Sequence, residues 1–97
     1  MPHYVISYDV NTETKEGRRR LRQIAKLCTD HGQRVQFSVF ECTLDQRQFE
    51  TLMAKATKLI NAETDSLRVY RLHGEREGAV RILGIDRYID FNAPLMV

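Results

Sequence analysis

The amino-acid sequence predicts an α+β domain in which two helices cover one face of a four-stranded antiparallel sheet. Segments rich in β-branched and aromatic residues alternate along the chain with two segments whose apolar residues recur every three or four positions. Their order is β-α-β-β-α-β with one further C-terminal strand, which is the split βαβ arrangement of a ferredoxin-like sandwich. A length of 97 residues fits one domain, residues 1–97, and a core too small for two.

The first half of this pattern is a strand followed by a helix with a basic side. Tyr4–Val10 is aromatic and β-branched, which favours a strand. The helix is expected from Lys15 to about His31, with Thr12 or Thr14 as its cap and Gly32 as a left-handed stop. One stripe of this helix is apolar at helical spacing and is expected to be buried: Leu21, Ile24, Ala25 and Cys28.

The second half supplies the remaining strands. Gln33–Leu44 is long for one strand, so we expect two strands with a turn or bulge near Gln36–Ser38, although no glycine or asparagine marks it. Asp45 and Gln48 have capping-box spacing before the second helix. Strands are expected at Ser66–Leu72 and Ala79–Ile85. Both the extra strand and the tail (about residues 79–97) are expected to pack on a partner subunit, because the tail is apolar.

Composition indicates an ordinary globular protein, and the lack of an export signal pattern favours the cytoplasm. The net charge is +2, hydrophobic residues make up 42%, and charged residues make up 29%, which excludes a disordered chain. No apolar run approaches a membrane span, and no export signal precedes the first strand. Cys28 and Cys42 are therefore expected to be reduced, buried thiols; a disulfide between them is the less favoured alternative, and neither belongs to a CxxC pair.

Asp9 is the candidate catalytic and metal-binding residue. It ends an apolar strand, where the common role of an aspartate is to cap a turn. One carboxylate is a poor magnesium site, because Mg²⁺ usually takes one or two carboxylates together with waters and phosphates. A two-fold axis near Asp9 would bring a second carboxylate and allow metal-activated hydrolysis of a phosphodiester.

A basic ridge on the first helix is the candidate nucleic-acid-binding surface. It consists of Lys15, Arg18, Arg19, Arg22 and Lys26, which fall on one side of the helix. A solvated helix face is the common interpretation of such a pattern, but no acid occurs from Arg18 to Cys28, and a one-signed ridge suits a phosphate backbone. Arg34, Arg68, Arg71 and Arg76 could extend it, Arg76 least convincingly because glutamates flank it. Ser38 lies in no nucleophile motif and is a phosphate contact or a strand hydroxyl.

Several runs resemble the Cas-two family of CRISPR adaptation proteins over nearly the whole chain. Tyr8-Asp9-Val10 is similar to the family's YD motif, and residues 18–26 resemble its basic helix. The run from Gly32 to Glu41 closely resembles its signature G-x-R-V-Q-x-S-V-F-E, which is specific, and Asp65–Leu72 resembles its fourth strand. The ending Pro94–Val97 is similar to the subtype I-C branch.

The resemblance implies a homodimer with facing sheets and exchanged C-terminal strands. It implies a Mg²⁺-dependent endonuclease with Asp9 of each chain at the two-fold, acting on DNA or RNA. It also implies a part in spacer acquisition, in which the dimer binds the Cas-one integrase and holds a DNA duplex. Three hypotheses stay open: a metal-dependent phosphodiesterase, a non-catalytic DNA-holding scaffold, which we favour as the biological role, and a small-molecule sensor on the same fold.

Overall fold

The computed structural model describes residues 1–90. The expectation that the apolar tail packs on a partner subunit therefore falls partly outside the described residues, as does the comparison of Pro94–Val97 with one subtype. The elements in chain order are β1 (His3–Asp9), α1 (Lys15–His31), β2 (Gln33–Gln36), β3 (Val39–Thr43), α2 (Gln46–Leu59), β4 (Ser66–Leu72) and α3 (Arg76–Ala79).

The four strands form one antiparallel sheet in the order β2-β3-β1-β4. β1 lies in the middle and pairs with β3 on one side and with β4 on the other. This order and the two long helices confirm the ferredoxin-like α+β prediction.

The core lies between the helices and one face of the sheet. Alternate residues of the two central strands, Tyr4, Ile6 and Tyr8 of β1 with Phe40 and Cys42 of β3, are buried together with apolar residues of α1 and α2. Because side chains alternate across a strand, the residues between them face the other way. That second face is called the open face here, and the central strands place Val5, Ser7, Asp9, Val39 and Glu41 on it.

Both long helices begin at the caps expected from the sequence. Thr14 accepts a hydrogen bond from Gly17 N at 3.0 Å. Asp45 and Gln48 form a complete capping box, with bonds of 2.7 and 2.9 Å. The left-handed stop expected at Gly32 is wrong, because its φ of −162° is extended backbone. A Cβ at Gly32 would instead collide with Cys42 Sγ and Glu41 O, so close approach to β3 explains the glycine.

The β2–β3 hairpin is confirmed, with Phe37 and Ser38 as its turn. The pairing shifts between Arg34 and Gln36, which marks a bulge in β2. A bulge changes the local twist, so the two strands can be joined without the left-handed turn residues of a regular two-residue hairpin. No described non-glycine residue has a positive φ, which explains why no glycine or asparagine marks this turn.

The extra strand expected over Ala79–Ile85 does not form in this chain. The short helix α3 ends at Ala79, and residues 80–90 contain no strand. Leu83 and Ile85 are 99% and 80% exposed. A strand needs the free edge of a neighbour, and within residues 1–90 this segment pairs with none. No described helix is long and apolar enough to cross a membrane.

Asp65 joins the start of β4 to both neighbouring loops and to α1. Its solvent-inaccessible carboxylate accepts from Arg20 Nε at 2.8 Å, Asn11 N at 2.9 Å and Asn61 N at 3.1 Å. The bond from Arg20, chiefly, holds the pKa of this carboxyl well below its ordinary value of 3.8. Arg20 therefore has a structural partner and is separate from the basic ridge.

We expect Asp65→Asn to lower the free energy of unfolding at pH 7 by about 2 kcal/mol, because a charged acceptor of several bonds is lost. Since the folded pKa is depressed, the stabilisation is complete above the ordinary value of 3.8 and shrinks as the pH falls below it. Urea denaturation of both proteins at pH 7 and pH 3 measures this. The exposed Glu63→Gln is the control, and an equal deficit at both pH values would contradict the charge-based account.

Candidate nucleic-acid interface

Asp9 ends β1 with an exposed carboxylate on the open face. Its backbone is held in place, because Asp9 pairs with Ser66 of β4 and the next residue, Val10, is buried. Within residues 1–90 no hydrogen bond or ion pair engages its side chain. The backbone is therefore fixed while both carboxylate oxygens stay available to a ligand.

The donors near Asp9 fit only part of a magnesium site. The described residues contain no group of three or more histidine, cysteine or acidic side chains able to hold a metal. A free carboxylate is the right ligand type for Mg²⁺, which completes its shell with waters and phosphate oxygens. Asp9 thus fits as one ligand, and a second carboxylate would have to come from another chain.

Two further residues lie at the same end of the sheet. Tyr8 N donates to Ser38 O at 3.1 Å, so the β2–β3 turn is tied to β1 directly beside Asp9. Arg68 of β4 pairs with Ser7, on the same face as Asp9, and its guanidinium lies 5.2 Å from the centroid of the Tyr70 ring. Ser38, in the turn before β3, and Arg68, in β4, thus lie at the same end of the sheet as Asp9, on the two sides of β1.

All five residues of the basic ridge are exposed on α1, as expected. Two of them already have a neighbour: Arg18 Nη1 donates to Thr12 O at 3.2 Å, and Lys26 Nζ lies 2.9 Å from Asp30. The bond from Lys26 lowers the pKa of the Asp30 carboxyl. Lys26 is therefore the ridge residue whose charge is most compensated.

The ridge and Asp9 do not share a face of the sheet. α1 packs on the side of Ile6 and Tyr8, whereas Asp9 lies on the open face. Arg34 accompanies the ridge, because it pairs with the core residue Phe40 and its guanidinium lies 5.1 Å from that ring. The chain therefore has a carboxylate side and a basic side, which meet at the loop between β1 and α1.

The two thiols are free and buried, which confirms the preferred expectation. Burial raises the pKa of Cys28 to about 11 and that of Cys42 to about 12. Both side chains are therefore protonated at neutral pH and are poor nucleophiles.

A buried charge network on the open face was missed at the sequence level. Glu41 accepts from Arg76 Nε at 2.5 Å and lies 2.7 Å from His3 Nε2. Arg76 also contacts Asp86 at 3.3 Å, and its guanidinium lies 3.7 Å from the Tyr88 ring centroid. Glu41, only 5% exposed, therefore anchors the segment after β4 to the sheet. Its place in the middle of β3, between the apolar neighbours Phe40 and Cys42, was the available signal, since a buried carboxylate needs a partner.

Removing this anchor is expected to destabilise the protein and release residues 76–90. Burial raises the pKa of Glu41, but bonds from Arg76 and His3 outweigh it and leave the pKa below its ordinary value. We expect Glu41→Gln to lower the free energy of unfolding by about 3 kcal/mol, because the mostly buried charge of Arg76 loses its nearer carboxylate and keeps only the longer contact with Asp86.

Urea denaturation measures that cost, and limited trypsin digestion reports early cutting after Arg81 and Arg87. The loss should shrink at pH values below the ordinary 4.5 of Glu41, where the wild-type carboxyl loses its own charge. The exposed Glu77→Gln is the control, and unchanged digestion of Glu41→Gln would show that the segment is held by other contacts.

The fold and this surface define a small ferredoxin-like protein with a solvated carboxylate at one end of the sheet and a basic helix behind it. A family model described as "CRISPR associated protein Cas2" matches residues 1–80. The chain belongs to the Cas2 family of CRISPR-associated proteins.

Curated relatives match over nearly the full length of both chains. "CRISPR-associated endoribonuclease Cas2 1" of Moorella thermoacetica is 45% identical over 95 residues, 98% of this chain and 99% of its own. "CRISPR-associated endonuclease Cas2" of Halalkalibacterium halodurans is 46% identical over 92 residues, 95% of this chain and 96% of its own.

Solved structures agree with the fold. Streptococcus pyogenes Cas2 at pH 6.5 is 48% identical with a TM-score of 0.75, covering 84% of this chain and 99% of its own. A chain of a partial Cas6-RT-Cas1–Cas2 complex is 26% identical with a TM-score of 0.62, covering 92% of this chain and 98% of its own.

Proposed function

We propose that this protein is a nucleic-acid-binding homodimer of CRISPR spacer acquisition, with an intrinsic metal-dependent endonuclease activity centred on Asp9. One observation carries the proposal: Asp9 is fixed at its backbone, yet its carboxylate is exposed on the open face and free of partners within residues 1–90. We also place the protein in the cytoplasm, in agreement with its reduced thiols.

A second copy is proposed to cover the open face. Val5 and Val39 are half-buried at its centre, and the exposed Ile82, Leu83 and Ile85 border the same groove. Burying such residues between two copies removes apolar area from water, which is the main driving force of association. Facing sheets would bring Asp9 of each chain toward a shared axis, where the C-terminal segments could pair as strands.

In that dimer the two Asp9 carboxylates would hold Mg²⁺. The ion, when bound, would lower the pKa of a water and offset phosphate charge. Ser38, tied to β1, is proposed to contact a phosphate beside the scissile bond. Arg68, on the open face near Asp9, is suited to attract the same phosphate backbone. No residue among 1–90 stands out as a general base.

The basic side is proposed to hold the nucleic-acid backbone. Lys15, Arg18, Arg19, Arg22, Lys26 and Arg34 would contact phosphates, which gives affinity without sequence preference. The relatives are named as an endoribonuclease and as an endonuclease. These names agree on phosphodiester chemistry, and both double-stranded DNA and single-stranded RNA are proposed as ligands.

A non-catalytic scaffold is the second candidate, and the two-sided layout favours it. Because the ridge and Asp9 lie on different sides of the sheet, a duplex can rest on α1 without meeting the carboxylate. The similar chain in the Cas1–Cas2 complex supports the Cas1 integrase as the proposed partner. Family membership argues against the small-molecule sensor.

The test combines oligomeric state, binding and partner association. Light scattering should give twice the mass of the 11.3 kDa chain. Affinity for a labelled duplex should fall steeply with salt, with a log–log slope of roughly −0.9 per phosphate neutralised. Co-purification with the matching Cas1 should succeed. A monomer that binds neither duplex, RNA nor Cas1 would overturn the proposal.

A further inference from the structure

Phe37 is an aromatic residue whose placement neither the core nor the proposed dimer face uses. Its side chain is 96% exposed, more than any other aromatic ring among residues 1–90. It occupies the tip of the two-residue turn between β2 and β3. The half-buried valines of the open face lie in the strands, whereas Phe37 projects from the rim of the sheet.

The β2–β3 turn holds Phe37 at the same end of the sheet as Asp9. Tyr8 N donates a hydrogen bond to Ser38 O at 3.1 Å. Asp9 directly follows Tyr8 in the chain, and Phe37 directly precedes Ser38. Pairing of Gln36 with Val39 closes the turn from below. The ring therefore sits on a short, bonded support, so that little backbone ordering is needed when it contacts a ligand.

The residues around Phe37 favour a ligand that is a polyanion and carries flat apolar groups. The chain from His31 to Phe40 contains no acidic residue. Arg34 is exposed in the same hairpin, and Arg68 lies on the open face near Asp9. An exposed ring at the rim of the sheet, with an arginine on each of the two faces, matches single-stranded nucleic acid, in which phosphates meet the charges and bases stack on aromatic side chains.

We propose that Phe37 is a base-stacking residue that positions an unpaired nucleotide next to Asp9. This rests on the proposed function, since it assumes nucleic acid at that end of the sheet. It adds a preference for a single-stranded stretch at the carboxylate, whereas the basic ridge binds backbones of any kind. A second copy covering the ring is the alternative outcome of the test.

The chain contains no tryptophan, so Phe37→Trp supplies a single fluorophore at this position. The probes are a single-stranded RNA or DNA oligonucleotide and one of equal length and charge with abasic sites. We expect the base-containing oligonucleotide to quench the emission and the abasic one to leave it nearly unchanged. Thr51→Trp, at an exposed site on α2, is the control and should respond to neither.

Affinity gives the second measurement. Phe37→Ala should weaken binding of the base-containing oligonucleotide about tenfold, while Phe37→Tyr should retain it and abasic binding should stay equal in all variants. Normal oligonucleotide binding by Phe37→Trp without quenching overturns the stacking role and leaves the proposed function intact. Emission that changes on dilution without oligonucleotide assigns the ring to a subunit contact and also overturns the role. Absence of single-stranded binding by a wild type that still binds duplex overturns the stacking role alone, whereas absence of both single-stranded and duplex binding also contradicts the proposed function.

Discussion

Replacing Asp9 by asparagine is expected to lower metal-dependent cleavage of nucleic acid by about a hundredfold or more, roughly 3 kcal/mol of activation free energy. The amide keeps the size of the side chain but loses the charge that would hold Mg²⁺. In a dimer both copies change together, so the site loses two carboxylates at once. Cleavage of labelled duplex DNA and single-stranded RNA, with magnesium and with a chelator, measures the effect.

Glu13→Gln is the matched control for Asp9→Asn, because it removes an exposed acid from the loop directly after β1. It should cleave like the wild type, and both variants should bind duplex normally, since the basic ridge is untouched. Cleavage that persists in Asp9→Asn, or that continues in the presence of the chelator, would contradict the carboxylate mechanism. The non-catalytic scaffold would then be the better-supported function.

Reversing Arg18, Arg19 and Arg22 to glutamate is expected to weaken duplex binding by about a hundredfold at low salt. Removing three phosphate contacts should also make the slope of log affinity against log salt concentration less negative by roughly 3 for each bound protomer. These arginines are exposed, and glutamate is a good helix former, so the fold should persist. Filter binding over a salt series measures both quantities.

A triple reversal on α2, at Arg47, Lys55 and Lys58, gives the same change of net charge on another exposed surface. It should lower affinity far less than the α1 variant. Equal losses in the two triple variants would mean that overall charge governs binding and that the ridge has no special role.

The elements that depend on local pattern could be predicted from the sequence. α1 and β4 occupy the expected ranges, and the capping box at Asp45 is present, because caps and periodicity act within a few residues. The strand expected at Ala79–Ile85 is absent from the chain, because a strand exists only with a neighbouring edge. No local pattern specifies which edge that is.

The sequence was enough to predict which residues form the candidate site, but not how these residues are arranged in space. Asp9 at the strand end and the exposed ridge were both expected, yet their separation to opposite sides of the sheet follows from which face the helices cover. The network of His3, Glu41 and Arg76 joins residues that are far apart in the chain. Flanking glutamates made Arg76 look like a surface residue, whereas its partner comes from β3.

The central place of β1 has a consequence for synthesis of the chain. β1 is made first and pairs with β3 soon afterwards, but its other edge is completed only by β4, Ser66–Leu72. Until that strand leaves the ribosome, the backbone of Tyr4–Tyr8 keeps an unpaired edge next to apolar side chains, a state prone to wrong association. Folding is thus expected to finish in one late step, with β4 closing the sheet.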